Sequence, residues 1–361
     1  MESFWGITTY FSYSKNDIRY KNYQIFRENS KKQGLQLITI ELAKTNKSFQ
    51  LIKEKDAEIL IQLKSDSVLW QKERFLNIAL NKLPKTCKYV CAIDCDIVIN
   101  DKNWISKSIE ALKKHKAIQP FKYAILMKKD KSPANYAPSL INKTIKPGKE
   151  EGNFKYSFAH YYISSKKHDK KAKPQAKFIF SFFQRDKINP KLFYWGQYFF
   201  IKAGLFNYIR KYIIGSNNKS YYNPGLCWCF RKEVLLKMLF YDRCIVGGGD
   251  TVMANAMIGN KYHSLAISRV ESLKLDFSNW FNVVYNAVNG SIYYLDSTCY
   301  HFWHGYQKRK KHVLRYNILE KNNFDPQNDV KISENQCLEW STDKSALIND
   351  VSKYFQDRDR I

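Results

Sequence analysis

The chain has 361 residues, 44% hydrophobic and 16% aromatic, with 60 Lys+Arg against 33 Asp+Glu for a formal charge of +27 at pH 7. That apolar content suffices for a buried core and excludes wholesale disorder, and the length allows one large domain or two ordinary ones. The positive surplus admits an anionic partner, whether nucleic acid, an anionic membrane surface or a phosphorylated small molecule, and equally a coding bias towards Lys, Asn, Ile, Tyr and Phe. The first fifteen residues carry no basic start, long apolar stretch or small-residue cleavage site, so the expected location is cytoplasmic or peripheral at the inner face of a membrane. The most apolar window, 192–214, is broken by Gln197, Lys202, Asn207, Arg210 and Lys211 and falls short of a membrane span. Eight scattered cysteines are expected as reduced thiols; Cys87, Cys91 and Cys95 lack a matching Cys/His pair nearby and read as buried side chains.

From the N-terminus, strand-like and helix-like segments alternate. Phe4 to Phe11 reads as a strand, Ile18 to Gln33 as a helix stopped by Gly34, Leu35 to Ile40 and Ala57 to Leu63 as further strands, Ser67 to Leu80 as a helix, and Lys88 to Ile93 as a fourth strand. This order predicts an α/β fold with a mostly parallel twisted sheet and helices on both faces. Residues 121–190 hold sixteen basic residues against five acids, a surplus of eleven, studded with aromatic clusters such as Tyr161-Tyr162 and Phe178 to Phe183. Such a segment fits an anionic bilayer over 121–214 or a nucleic-acid strand, and equally an insertion with a solvated lysine face. Patterning resumes with a strand at Leu226 to Phe230, helices at Lys232 to Leu239 and Thr251 to Ile258, and an amphipathic helix from Lys344 to Gln356. The expected divisions are 1–121, a basic aromatic insertion at 122–220, 221–312, and a C-terminal helical tail at 313–361.

Three constellations carry chemistry. Tyr89 to Ile93 runs into Asp94-Cys95-Asp96; two carboxylates at the carboxyl end of a strand supply oxygen ligands for Mg²⁺ or Mn²⁺, or else a pair of turn-forming aspartates. Gly247-Gly248-Gly249-Asp250 allows close backbone approach to a ligand, with Asp250 either a helix cap or a general base. His301-Phe302-Trp303-His304-Gly305, followed by Lys308, Arg309, Lys310, Lys311 and Arg315, joins imidazoles to cations suited to a metal or a diphosphate.

These motifs, with Leu69 to Arg74, Asn77, Gly225, Trp228, Arg231 and Tyr241-Asp242 in the same order, resemble GT-A-fold glycosyltransferases, particularly family-two-like and galactosyltransferase-like enzymes of bacteria and large viruses. The resemblance covers most of the chain except roughly 122–220. It implies that Asp96 and His304 ligate Mn²⁺ or Mg²⁺. It further implies that Thr8, Thr9, Tyr10, Glu41, Lys72, Arg74, Asn77, Asp94, Cys95, Gly248, Gly249 and Lys308 hold a nucleotide-diphosphate sugar, with a UDP-sugar favoured. Asp250 would activate the acceptor hydroxyl for inversion, with Trp228 beside it, the acceptor being a glycan, a lipid-linked molecule or a protein. Cys229 departs from the small residue common at its position. The competing expectation, a nucleic-acid-binding protein, leaves Gly247 to Asp250 and His301 to His304 without a role.

Overall fold

The computed structural model describes residues 3–11, 17–129, 152–169, 222–261, 271–304 and 315–359. The first half supplies β1 (Ser3–Phe11), α1 (Asp17–Lys32), β2 (Gln36–Ala43), β3 (Ile59–Lys64), α2 (Lys72–Asn81), β4 (Cys87–Ile93), β5 (Ile97–Ile99), α3 (Trp104–Lys114), β6 (Ala117–Gln119) and β7 (Tyr123–Met127). There follow β8 (Gly152–Ser157), α4 (Phe158–Asp169), β9 (Tyr222–Asn223), β10 (Cys227–Arg231), α5 (Lys232–Met238), α6 (Gly249–Met257) and α7 (Glu271–Val288). The chain continues through β11 (Ile292–Tyr294), β12 (Thr298–His301), α8 (Tyr316–Lys321), β13 (Val330–Ile332), β14 (Leu338–Trp340) and α9 (Ser345–Asp359). The chain divides into two compact units, residues 1–159 with 223–361, and residues 160–222; the strands β1 to β8 and β10 to β14 all belong to the first.

The fold is mixed α/β, as the alternation of segments predicts. A seven-stranded sheet runs in the order β11-β6-β10-β4-β1-β2-β3. Its strands pair in parallel except β10, which is antiparallel to both β4 and β6. The central strand β4 is flanked by β1, which is buried from Phe4 to Tyr10, as a parallel strand covered on both faces requires. Phe4, Tyr23, Phe26, Trp104 and Phe121 belong to one buried cluster with Cys91, Cys227 and Cys229. All eight cysteines are unpaired thiols, seven of them buried and Cys95 half-buried.

A second sheet, in the order β5-β12-β7-β8-β9, takes in β7 and β8, stretches that the sequence groups with the basic insertion. In it β12 runs antiparallel to β5, with His301 opposite Ile97, and parallel to β7. A third element is the small antiparallel pair β13 and β14. Helix α2 begins at Lys72 rather than Ser67, because the backbone before it is claimed by tertiary contacts: Trp70 N donates to Ile245 O at 2.8 Å, and the Gln71 side chain accepts from Leu338 N at 2.6 Å. No helix among the described residues is long and apolar enough to cross a membrane.

Candidate metal and transfer site

The seven-stranded sheet ends its central strands at a single edge. Thr8 of β1 donates its hydroxyl to Ile93 O at 2.6 Å, and Asp94 N donates to Leu226 O at 2.7 Å. The Asp94-Cys95-Asp96 turn is thereby tied on one side to β1 and on the other to the residue before β10. Leu226 holds a left-handed backbone, φ 75°, which a branched side chain adopts only where its surroundings compel it. Asp96 O accepts from Phe302 N at 2.9 Å, bringing the end of β12 against the turn.

The result is a set of three ligand groups. His304 Nδ1 lies 2.7 Å from Asp96 Oδ2 and His301 Nε2 lies 3.7 Å from Asp96 Oδ1. The ligand atoms of Asp96, His301 and His304 all fall within 4.8 Å of one another, close enough for one ion to reach each of them with little movement. Two imidazole nitrogens and a carboxylate oxygen suit a divalent transition ion such as Mn²⁺ better than Mg²⁺, which favours all-oxygen surroundings. The three residues therefore fit a divalent cation, and His301 joins the expected pair Asp96 and His304. The signal for it was a second histidine three positions upstream, placed by the last residue of β12.

Beside this group lies a second one, built on the first turns of two helices. Lys72, the first residue of α2, forms an ion pair with Asp94. Burial would lower the Lys72 ammonium, but Asp94, Asp250 and Glu73 outweigh it and hold the group above the ordinary lysine range. Burial likewise pushes the Asp94 carboxyl up, with Lys72 opposing and Asp96 and Asp250 reinforcing the shift. Asp250 sits in the first turn of α6, where Oδ1 accepts from Thr251 N at 2.7 Å. Its other oxygen lies against Gly225, where any side chain would collide with Asp250 Oδ2. The glycines before it are equally constrained. Gly247 and Gly248 have φ of 88° and 109° and pack against Arg315 and Tyr316, and Gly249 is in contact with the Glu73 carboxyl. Tyr316 completes the turn by donating its hydroxyl to Gly247 O at 2.6 Å.

No protein-family model matches the chain, and no curated protein sequence matches it. Among solved structures, 4-diphosphocytidyl-2C-methyl-D-erythritol synthase from Anaerococcus prevotii DSM 20548 is similar over 52% of this chain and 86% of that chain, at 12% identity and a TM-score of 0.22. A likeness of that size carries no argument about function.

The structure brings Lys72, Asp94, Cys95, Asp96, Gly248, Gly249, Asp250 and His304 to this edge, and gives several other expected site residues partners within the protein. Tyr10 is buried and donates to Gln50 Oε1 at 2.5 Å. Glu41, fully buried, accepts from Gln50 N, Leu51 N and Gln62 Nε2 and so anchors the chain after β2. Asn77 bridges to both N and O of Phe240 at 2.9 Å each. Arg74 donates to Gln336 O and Oε1 at 2.9 Å and pairs with Asp242 at 3.6 Å. Thr9 is buried in β1, and Trp228 is 2% exposed with its indole nitrogen donating to Pro224 O at 2.7 Å. Each of these is buried or engaged by other residues of the protein. Lys308, the cations at 309–311, and residues 130–151 and 170–221 of the basic segment lie outside the described residues. Glu73 falls within the Leu69 to Arg74 motif without a role of its own, Arg315 is expected from sequence only among the cations near a diphosphate, and Tyr316 is not singled out by the sequence.

Proposed function

We propose that the protein is a metal-dependent glycosyltransferase that moves a sugar from a nucleoside-diphosphate donor, a UDP-sugar first among them, to a hydroxyl of a glycan, lipid-linked or protein acceptor. The observation that carries this reading is the meeting of a three-ligand group, Asp96 with His301 and His304, and a lysine-balanced pair of carboxylates, Asp94 and Asp250, at the carboxyl edge of a mostly parallel sheet. That edge is where open α/β sheets bind ligands.

Asp96, His301 and His304 would hold Mn²⁺ or Mg²⁺, and Mn²⁺ suits their nitrogen-rich set better. When bound, the ion supplies positive charge to the donor's two phosphates and so favours departure of the nucleoside diphosphate. Lys72 fixes the Asp94 carboxylate, leaving its second oxygen to accept hydrogen bonds from donor hydroxyls. Asp250, at the start of α6, takes the proton of the acceptor hydroxyl. In a single displacement the acceptor oxygen bonds to the anomeric carbon as the bond from that carbon to the phosphate oxygen breaks, and the configuration inverts.

The test is thermal stability measured with nucleotide sugars in the presence and absence of Mn²⁺. A donor that binds only the folded chain raises its melting temperature, and the rise should require Mn²⁺ and vanish in D96A and H304A. Absence of any shift across UDP-, GDP- and CMP-sugars would refute the reading.

A further inference from the structure

Glu73 has no place in the reaction as drawn above, yet its location is exact in consequence. It is 5% exposed on the first turn of α2, and its carboxyl touches the backbone of Gly249, the residue before Asp250, so closely that no side chain fits at 249. We propose that Glu73 is a positioning residue for Asp250: the Glu73 carboxyl, packed against Gly249, seats the first turn of α6.

The charges support this. The groups facing Glu73 are Lys72 on its own helix, Asp250 on α6, Cys244 in the preceding loop and the Trp70 side chain, while Arg315 lies beside the glycine turn and is drawn to Asp250. Lys72 and Arg315 balance Asp94 and Asp250. A third carboxylate would leave the cluster with an excess negative charge in a buried place, which is costly. Consistently, burial raises the Glu73 carboxyl to about 7, with Lys72 opposing and Asp250 reinforcing the shift. Below pH 7 the proton therefore resides mostly on Glu73, the most enclosed of the three, and its loss at higher pH would add negative charge next to the base and to the incoming diphosphate. This inference rests on the transfer reading for the role of Asp250, while the uncharged state of Glu73 can be tested without it.

Two arms decide the matter. For a group titrating near 7, the ratio of transfer rate at pH 8.5 to that at pH 6.0 falls about 30-fold through its ionisation, and E73Q, which cannot ionise, should abolish that fall. The second arm needs no donor. A folded-state carboxyl raised above its unfolded value makes the native chain the better proton binder between about 4.5 and 7. Its contribution to stability is thus present at low pH and is lost as pH rises through that window. The melting temperature of the wild-type chain should drop relative to that of E73Q between pH 5 and pH 8, and G249A, which intrudes on the carboxyl, should lower transfer without changing Mn²⁺ binding. Parallel melting curves for wild type and E73Q overturn the uncharged state, and parallel pH–rate profiles overturn the positioning role. If no donor supports transfer, the transfer reading fails and the positioning role with it, while the melting curves still decide the charge on Glu73.

Discussion

Asp94 and Asp96 are two residues apart on one turn, and their surroundings give them different chemistry. Asp96 faces His301 and His304, side chains of a type that ligates metals, so its neighbourhood is a donor set that could hold a cation. Asp94 faces the Lys72 ammonium, which carries positive charge but has no lone pair to offer, so its neighbourhood is already balanced and orients rather than recruits. Identical carboxylates are thus assigned by what arrives from elsewhere in the chain: the end of β12 for one, the start of α2 for the other.

Substitutions that erase this contrast should have graded effects. The largest is expected on the recruiting side, where D96A, or removal of metal by EDTA, should reduce transfer about a thousandfold and abolish the Mn²⁺-dependent rise in melting temperature. Next, D250N should lower kcat about a hundredfold or more while leaving the dissociation constant of the donor near its wild-type value in calorimetry; equal loss of donor affinity would place Asp250 on the donor side instead. K72M strikes the balanced side. It strands Asp94 without its cation and should cost about 2 kcal/mol of unfolding free energy in denaturant titration, a value discounted because the paired side chains are 19% and 25% exposed. The smallest effect is expected from G225A, whose new methyl displaces the Asp250 carboxylate; we expect about a tenfold fall in transfer with a stability loss of about 1 kcal/mol.

Legibility from sequence followed the range of the interactions. β1 and β4 lie within a residue of their predicted bounds, because long apolar runs buried on both faces announce themselves. The second sheet was not anticipated. Its strands β5 and β12 have only three and four residues, and pairing Ile97 with His301 joins distant positions that no local pattern connects. Helix α7 went unread although Leu273, Phe277, Phe281, Val284 and Val288 are buried at helical spacing along it. At the site, the Asp-x-Asp turn and Asp250 were visible as motifs. The use of Glu73 was not, since an acid in the first turn of a helix ordinarily looks like a favourable dipole partner at the surface, and only the fold shows it enclosed against Gly249.

One short stretch serves both sides of the site. The carbonyl of Leu226 holds the Asp94 amide, and the neighbouring Gly225 gives Asp250 its room. The same two peptide units therefore touch both carboxylate-bearing segments, that of Asp94 and that of Asp250. A shift of this stretch would disturb both carboxylates at once, so a single piece of backbone couples the placement of two side chains that reach it from separate parts of the chain.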